Sequence, residues 1–464
     1  MESLSFDVVV LGGGPGGTPA ANYLSAHGLK VAIVEMGEGL GGVCLFKGCI
    51  PSKIYIETAT RFYEFKQDDI FGIEGGIGQL TIDLNKIKQR KKEILGIRVG
   101  GASKLSAALG TKIFKGVGHI SGADTIDVIT SETNYRLNFK SLIIALGSTG
   151  VQLPIEGAEL CKPVEDIFEI EALPHSVVMI GGGYIGIEMA SMFARLGVKS
   201  TIIEFLPRVL STEDVNVSAA VLEGLKELGI DVYLNSKVTS VKESNGKKIV
   251  QFLLNNELQN VNTDYVVMAV GRRPDTDNLN LDLLGITKGN HGEIPVNEFM
   301  QTSNKNVYAC GDINGKMMLA HAATAESLVA ANKILGNKTE INYSAIPHAI
   351  FGYPESASVG LNSTEATEKG YRTFKFSYSQ DAKALIEGDS KGFVQMIVDP
   401  ANLRLLGTQI VGKNASELIT EPTQIISKNG TIKDILSSVH THPTLNEVIS
   451  ETANYIMSQL SETI

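Results

Sequence analysis

The chain has 464 residues, 43% of them hydrophobic, with 48 glycines and a formal net charge of −10. That length suits about three domains of roughly 150 residues, and glycines clustered in loops suit an α/β enzyme whose backbone approaches ligands closely. The negative balance argues against nucleic acid or an anionic membrane surface as the main partner. No apolar run reaches the roughly 18 residues of a bilayer span, and Met1–Ser5 lacks the cationic region of a signal or transit peptide. Four cysteines are too few for a secreted disulfide scaffold, so a reducing, cytoplasmic setting is expected.

Asp7-Val8-Val9-Val10-Leu11 is the first predicted element, a short apolar strand of the buried parallel kind. It runs into Gly12-Gly13-Gly14-Pro15-Gly16-Gly17, spaced G-x-G-x-x-G. A helix is predicted over 18–26, then a strand over 31–34 that ends in Glu35. In such a unit the first glycine makes a tight turn, the second admits a pyrophosphate, and the third lets helix and sheet approach. The helix N-terminus offers N–H groups and a positive dipole end to phosphate. The acid accepts hydrogen bonds from ribose hydroxyls.

Cys44 and Cys49 follow at once, in GGVCLFKGCIPSK. A structural disulfide, half a metal site, inert thiols and a redox couple are all readings of this pair. A disulfide across so short a loop removes only about 2 kcal/mol of chain entropy, and zinc needs two further nearby ligands. Cys161 and Cys310 are isolated and read as small buried side chains. Pro51 suits the first turn of a helix predicted over 52–65. Cys49 would then lie near a helix N-terminus with Lys53 close by, which favours a thiolate. Farther on, the basic run Lys86–Lys92 reads as a solvated helix face.

The nucleotide unit then recurs. Val177–Ile180 leads into Gly181-Gly182-Gly183-Tyr184-Ile185-Gly186, a helix to about residue 196, and a strand ending in Glu204. Gly12 to Glu35 and Gly181 to Glu204 both span 23 residues. One such loop is weak evidence; two complete units with equal spacing imply two dinucleotides. A carboxylate beside the ribose disfavours a 2′-phosphate, which favours NAD at the second unit. Arg208 keeps NADP open. Strands are predicted over 373–378, 392–398 and 405–411. Near the end, Thr444-Leu445-Asn446-Glu447 fits a capping box ahead of a helix with Leu445, Val448, Ile449 and Ile456 on one face. From local sequence, capping and catalysis are equally good readings of Glu447.

These motifs, in this order, resemble the pyridine nucleotide–disulfide oxidoreductase family, and within it the dihydrolipoamide dehydrogenases, over essentially the whole length. The resemblance rests on both glycine units, on the cysteine segment, and on Ala269-Val270-Gly271-Arg272-Arg273-Pro274. It rests also on Thr302–Asp312, Met318-Leu319-Ala320-His321, Pro354-Glu355 and His440-Thr441-His442-Pro443-Thr444-Leu445-Asn446-Glu447. It implies an α/β fold with two Rossmann-like nucleotide-binding domains, a central domain and a C-terminal α+β dimerisation domain. The expected boundaries are 1–149 for FAD, 150–275 for NAD, 276–345 for the central domain and 346–464 for the interface.

FAD would meet Gly12, Gly14, Gly17, Glu35, Lys53, Gly118, Ser148, Asp312 and Ala320, with Lys53 paired to Glu188. NAD would meet Gly181, Gly183, Gly186, Glu204, Val238 and Gly271. Cys44 would be the thiol that exchanges with substrate and Cys49 the one that faces the flavin. His442 would be the acid–base group, oriented by Glu447, with His440 structural or a weaker neighbour. No metal is expected. The resemblance further implies a homodimer, a lipoyl domain of a 2-oxo acid dehydrogenase or glycine cleavage complex as partner, and NAD-dependent oxidation of protein-bound dihydrolipoamide.

Three departures stand out. Ala145-Leu146-Gly147-Ser148 replaces A-T-G-S, Leu45-Phe46-Lys47 replaces L-N-V, and Tyr184 stands where many dihydrolipoamide dehydrogenases have valine. The alternatives are a glutathione- or mercuric-reductase-like member and, in another class, a non-catalytic docking or redox-sensing flavoprotein.

Overall fold

The computed structural model describes residues 1–65, 71 and 80–461, which form two compact units. One unit comprises Met1–Ile54, Leu84–Val151 and Gly271–Ile341; the other comprises Tyr55–Asp83, Gln152–Val270 and Asn342–Ile464.

The first unit is built on a sheet ordered Lys112–Lys115, Val31–Glu35, Glu2–Leu11, Tyr135–Ile144, Thr125–Ile129, Val117–Gly122. The strands from Lys112–Lys115 to Tyr135–Ile144 run parallel, and Val307–Ala309 adds in parallel to Tyr135–Ile144. Val8, Val9, Val10 and Leu11 are buried on both faces, which is why their segment reads as an unbroken apolar run. The helix Thr18–Ala26 closes one face with Ala20, Ala21 and Leu24. The basic run lies on the helix Leu84–Ala108 and is mostly solvated, but Lys91 is buried. It falls on the same stripe as the buried Leu84 and Ile87, at helical spacings of three and four.

The second unit repeats the plan. Its parallel sheet is ordered Asp231–Tyr233, Lys199–Ile203, Ser176–Ile180, Tyr265–Met268, Lys162–Pro163. An antiparallel meander follows, Ser236–Ser244, Lys247–Leu254 and Glu257–Thr263. The C-terminal part is an antiparallel sheet ordered His348–Ile350, Ser356–Gly360, Leu405–Val411, Phe393–Val398, Arg372–Ser377. The last three strands match the expected ranges within a residue. Val448, Ile449, Ala453 and Ile456 of the helix Glu447–Ser461 join Val394, Met396 and Ile410 in one core. No helix among the described residues is long and apolar enough to cross a membrane.

Candidate active site and nucleotide-binding loops

The two glycine loops have the same steric anatomy. Gly12 and Gly181 hold φ of +97° and +110°, where only glycine is unstrained. A Cβ on either would also overlap a carbonyl, that of Ala145 or Ala269. A Cβ on Gly17 would overlap the Gly12 carbonyl oxygen, and one on Gly186 would overlap that of Gly181. The middle glycines differ. A Cβ on Gly14 would stand 3.6 Å from Gly42 Cα, an ordinary contact, and one on Gly183 would meet no protein atom within 4 Å. The protein's own packing therefore requires the first and third glycines but not the second. The space in front of the second is left open, as a phosphate cradle requires. The helices that follow, Thr18–Ala26 and Tyr184–Arg195, carry no side-chain cap, so their N-terminal donors suit an anion.

The two terminal acids are held alike. Glu35 accepts Gly13 N–H at 2.7 Å and Gly37 N–H at 2.6 Å, one on each oxygen. Glu204 accepts Gly182 N–H at 2.5 Å and Leu206 N–H at 2.7 Å. Each carboxylate is thus fixed by its own loop with lone pairs left over for ribose hydroxyls. Arg208 is committed elsewhere: its guanidinium donates to the carbonyls of Glu213 at 2.7 Å and Ser211 at 2.5 Å.

The other expected flavin contacts of the first unit are placed as follows. Gly118 packs where a Cβ would stand 2.7 Å from Leu11 Cδ2 and 3.1 Å from Val34 Cγ1. Ser148 Oγ donates to Asp312 at 2.5 Å and accepts from Arg272 Nε at 2.8 Å. Asp312 opens a turn held by the fully buried Glu326, which accepts Gly311 N–H and Asn314 Nδ2, each at 2.7 Å. Ala320 begins the helix Ala320–Ile334. In the second unit Glu188 is buried and accepts Phe351 N–H at 3.0 Å. Val238 is buried beside a register shift in its strand. Gly271, with φ of +117°, belongs to the first unit, where its carbonyl accepts Val151 N–H at 3.0 Å.

The cysteine segment is stitched to the first glycine loop. Gly41 N–H donates to Gly13 O at 2.7 Å, and a Cβ on Gly42 would stand 2.9 Å from Gly14 Cα. Cys44 lies in the short helix Gly42–Phe46 and Cys49 is the first residue of the helix Cys49–Glu64. That helix begins three residues earlier than expected. Pro51 sits within its first turn, where a missing N–H costs nothing. Neither cysteine is in a disulfide. A hydrogen bond to Cys49, then burial, push the Cys44 thiol well above its ordinary range, with Lys53 opposing.

At the C-terminus, His442 Nδ1 lies 3.0 and 3.2 Å from the two Glu447 oxygens. Glu447 also accepts Thr444 N–H at 2.9 Å. That bond first, and then His442, hold its carboxyl below the usual range. An ionised carboxylate only accepts, so Nδ1 carries the proton and Nε2 is left as a base. The capping and catalytic readings of Glu447 therefore coexist. The box is one-sided: Glu447 N–H donates to the Thr444 carbonyl at 3.2 Å, while the Thr444 hydroxyl donates to Thr441 O at 2.7 Å.

Two further acids were not legible from spacing. His440 is bound to Glu421. The Tyr184 hydroxyl donates to the buried Glu213 at 2.5 Å, which also holds Ser358 at 2.7 Å and His348 at 3.3 Å. Both acids stand among polar neighbours in the sequence, and their partners are too remote along the chain to be paired by eye.

Residues 6–327 match the model of the pyridine nucleotide-disulphide oxidoreductases, and residues 346–453 match the dimerisation domain of that family. Among curated relatives, the dihydrolipoyl dehydrogenase of Geobacillus stearothermophilus is 36% identical over 97% of this chain and 96% of its own length. That of Chlamydia muridarum is 35% identical over the same shares. Among solved structures, LpdA of Mycobacterium tuberculosis superposes with a TM-score of 0.90 at 23% identity, covering 98% of this chain and 100% of that one. The HOCl-induced flavoprotein disulfide reductase RclA of Escherichia coli superposes with a TM-score of 0.88 at 23% identity over the same shares. With a family model matched from residue 6 to 327 and full-length relatives above one-third identity, the chain belongs to the pyridine nucleotide-disulphide oxidoreductase family.

Proposed function

We propose that this protein is a dihydrolipoyl dehydrogenase, oxidising protein-bound dihydrolipoamide with NAD⁺. The observation that carries the reading is the hydrogen bond from Gly41 to Gly13, which fastens the thiol segment to a dinucleotide loop. The names and full-length coverage of the curated relatives support it. Gly12, Gly14, Gly17, Glu35, Lys53, Gly118, Ser148, Asp312 and Ala320 would hold FAD, with Glu188 near its reactive edge. Gly181, Gly183, Gly186, Glu204, Val238 and Gly271 would hold NAD. The commitment of Arg208 to two carbonyls favours NAD over NADP. The proposed segments are 1–149 for FAD, 150–275 for NAD, 276–345 as central domain and 346–464 as interface.

FAD, when bound, supplies a two-electron path between the reduced thiols and the nicotinamide. The chain's own residues move sulfur bonds and protons. In the oxidised enzyme Cys44 and Cys49 share a disulfide. His442 takes a proton from one substrate thiol, and the resulting thiolate attacks Cys44. The Cys44–Cys49 bond breaks and Cys49 leaves as a thiolate at its helix N-terminus. The second substrate thiol then attacks the mixed disulfide at the substrate sulfur. Lipoamide leaves as a disulfide, and Cys44 takes up a proton, as its raised affinity for one favours. The pair of electrons lost by substrate now resides on the two cysteines. In the homodimer that the dimerisation domain supports, His442 would serve these thiols in cis or in trans. The partner protein would be a lipoyl domain, met in the cytoplasm.

Anaerobic reduction tests this. Cys44→Ser is expected to abolish lipoamide turnover while NADH still bleaches the flavin. Unimpaired lipoamide turnover in that variant would refute the assignment. A panel of lipoamide and glutathione disulfide against NADH and NADPH separates it from the glutathione-reductase type.

A further inference from the structure

The loop from His440 to Glu447 is tied near both ends to one carboxylate on a separate element. Glu421, in the first turn of the helix Thr420–Ser427, lies 3.2 and 3.1 Å from His440 Nε2 through its two oxygens. The same Glu421 accepts Asn446 Nδ2 at 3.1 Å. The His440 side chain is 7% exposed, whereas that of His442 is 73% exposed. An imidazole so exposed has no packing to hold its ring, so its aim depends on where its loop is anchored. The bonds from Thr444 to Thr441 and Glu447 shape the loop internally but do not fasten it to another element. Asn446 immediately precedes Glu447, so one anchor point adjoins the carboxylate that orients His442.

We propose that Glu421, through His440 and Asn446, is a positioning residue for the His442–Glu447 pair in thiol exchange. The inference rests on the reading of His442 as the acid–base group. Glu421 touches no reacting atom; it sets the frame in which Nδ1–H meets Glu447 and Nε2 faces outward. Glu447 and Glu451 on the helix Glu447–Ser461, and His440 on the loop, are titratable neighbours of the pair, with Asp381 next to Glu451.

The test is steady-state dihydrolipoamide oxidation by the holoenzyme against pH for E421A, E447Q and the double variant, alongside NADH-driven flavin bleaching. E421A is expected to lower kcat about tenfold or more and to move the acidic limb of the pH profile in the same direction as E447Q, because a loop without its anchor no longer holds His442 against Glu447. The double variant is expected to lose no more than E447Q alone, since the two act as a unit. Bleaching by NADH should be unchanged in all three. E421Q, which keeps an acceptor oxygen, should restore most of the rate and the limb. If E447Q is impaired while E421A keeps the wild-type rate and limb, the proposal fails and the acid–base reading stands. If E447Q is itself unimpaired, that reading falls and takes the proposal with it. Losses that multiply in the double variant also overturn it. Should E421A not fold, N446A is judged by the same criteria.

Discussion

The second glycine loop separates two substitutions that look equivalent in sequence. A Cβ on Gly186 overlaps Gly181 O, stands 3.1 Å from that carbonyl carbon and 3.7 Å from Ala269 Cβ. The overlap is with backbone, which has no rotamer to yield, so the helix Tyr184–Arg195 must retreat by on the order of 1 Å to regain contact distance. Overpacking of this kind costs about 1–3 kcal/mol, and the lack of a flexible neighbour puts Gly186→Ala at about 3 kcal/mol. At Gly183 the backbone is already extended, with φ of −79°, and no protein atom stands within reach of the added methyl. Gly183→Ala should therefore fold unharmed, or gain about 0.4–1 kcal/mol from a stiffer unfolded chain. Its methyl projects into the open space that the phosphates would use, so NADH affinity should fall at least about tenfold, roughly 1.4 kcal/mol. Thermal melting of the holoprotein and NADH titration read the two effects. Gly186→Ala should melt lower; Gly183→Ala should melt as wild type or higher yet bind NADH poorly. Wild-type NADH affinity in Gly183→Ala would refute the assignment of that space to a dinucleotide.

Three other outcomes follow from the site. Glu447→Gln should reduce dithiol-linked turnover about a hundredfold or more without slowing flavin reduction by NADH; equal losses in both half-reactions would remove His442 from the exchange step. Tyr184→Phe removes one donor from the buried Glu213, a bond to a charged group worth about 1.5–3 kcal/mol. Burial pushes Glu213 up, but hydrogen bonds from His348, Tyr184 and Ser358 outweigh it and hold the carboxyl below its ordinary 4.5. Its stabilisation is thus present above that value and is lost as pH falls through the lower folded one; in Tyr184→Phe the loss should begin at higher pH in melting curves. Arg208→Gln should destabilise its turn yet leave the NADH-to-NADPH preference unaltered, since the guanidinium already serves two carbonyls. A marked shift in that preference would show that Arg208 faces the ribose.

What was legible beforehand follows from range. The glycine units and the buried strands are local patterns, and each took the predicted form. Thr444, Glu447 and His442 lie within five residues, so their alternatives could be named, although not that one carboxylate meets both the Thr444 N–H and the His442 ring. The helix at Cys49 began early because Pro51 is tolerated at more than one position of a first turn. Lys91 was misjudged with its neighbours because charge masked its place on the Leu84–Ile87 stripe. Glu213 escaped notice because two of its partners, His348 and Ser358, lie 135 and 145 residues away. No local spacing encodes such a pair.

The two cysteines show where structure adds to a motif. In sequence Cys49 alone was placed near a helix N-terminus, and family resemblance gave the two their separate parts. Their surroundings add to that difference. Cys44 sits in a five-residue helix and donates toward its neighbour, a bond that, with burial, keeps its proton on. Cys49 opens a 16-residue helix, whose positive end favours negative charge. In disulfide exchange the sulfur that departs must carry charge, and the sulfur under attack must afterwards take up a proton. Both demands fit the proposal that substrate attacks Cys44 and Cys49 leaves. A departing sulfur at the start of the 16-residue helix therefore supports the proposed sense of attack.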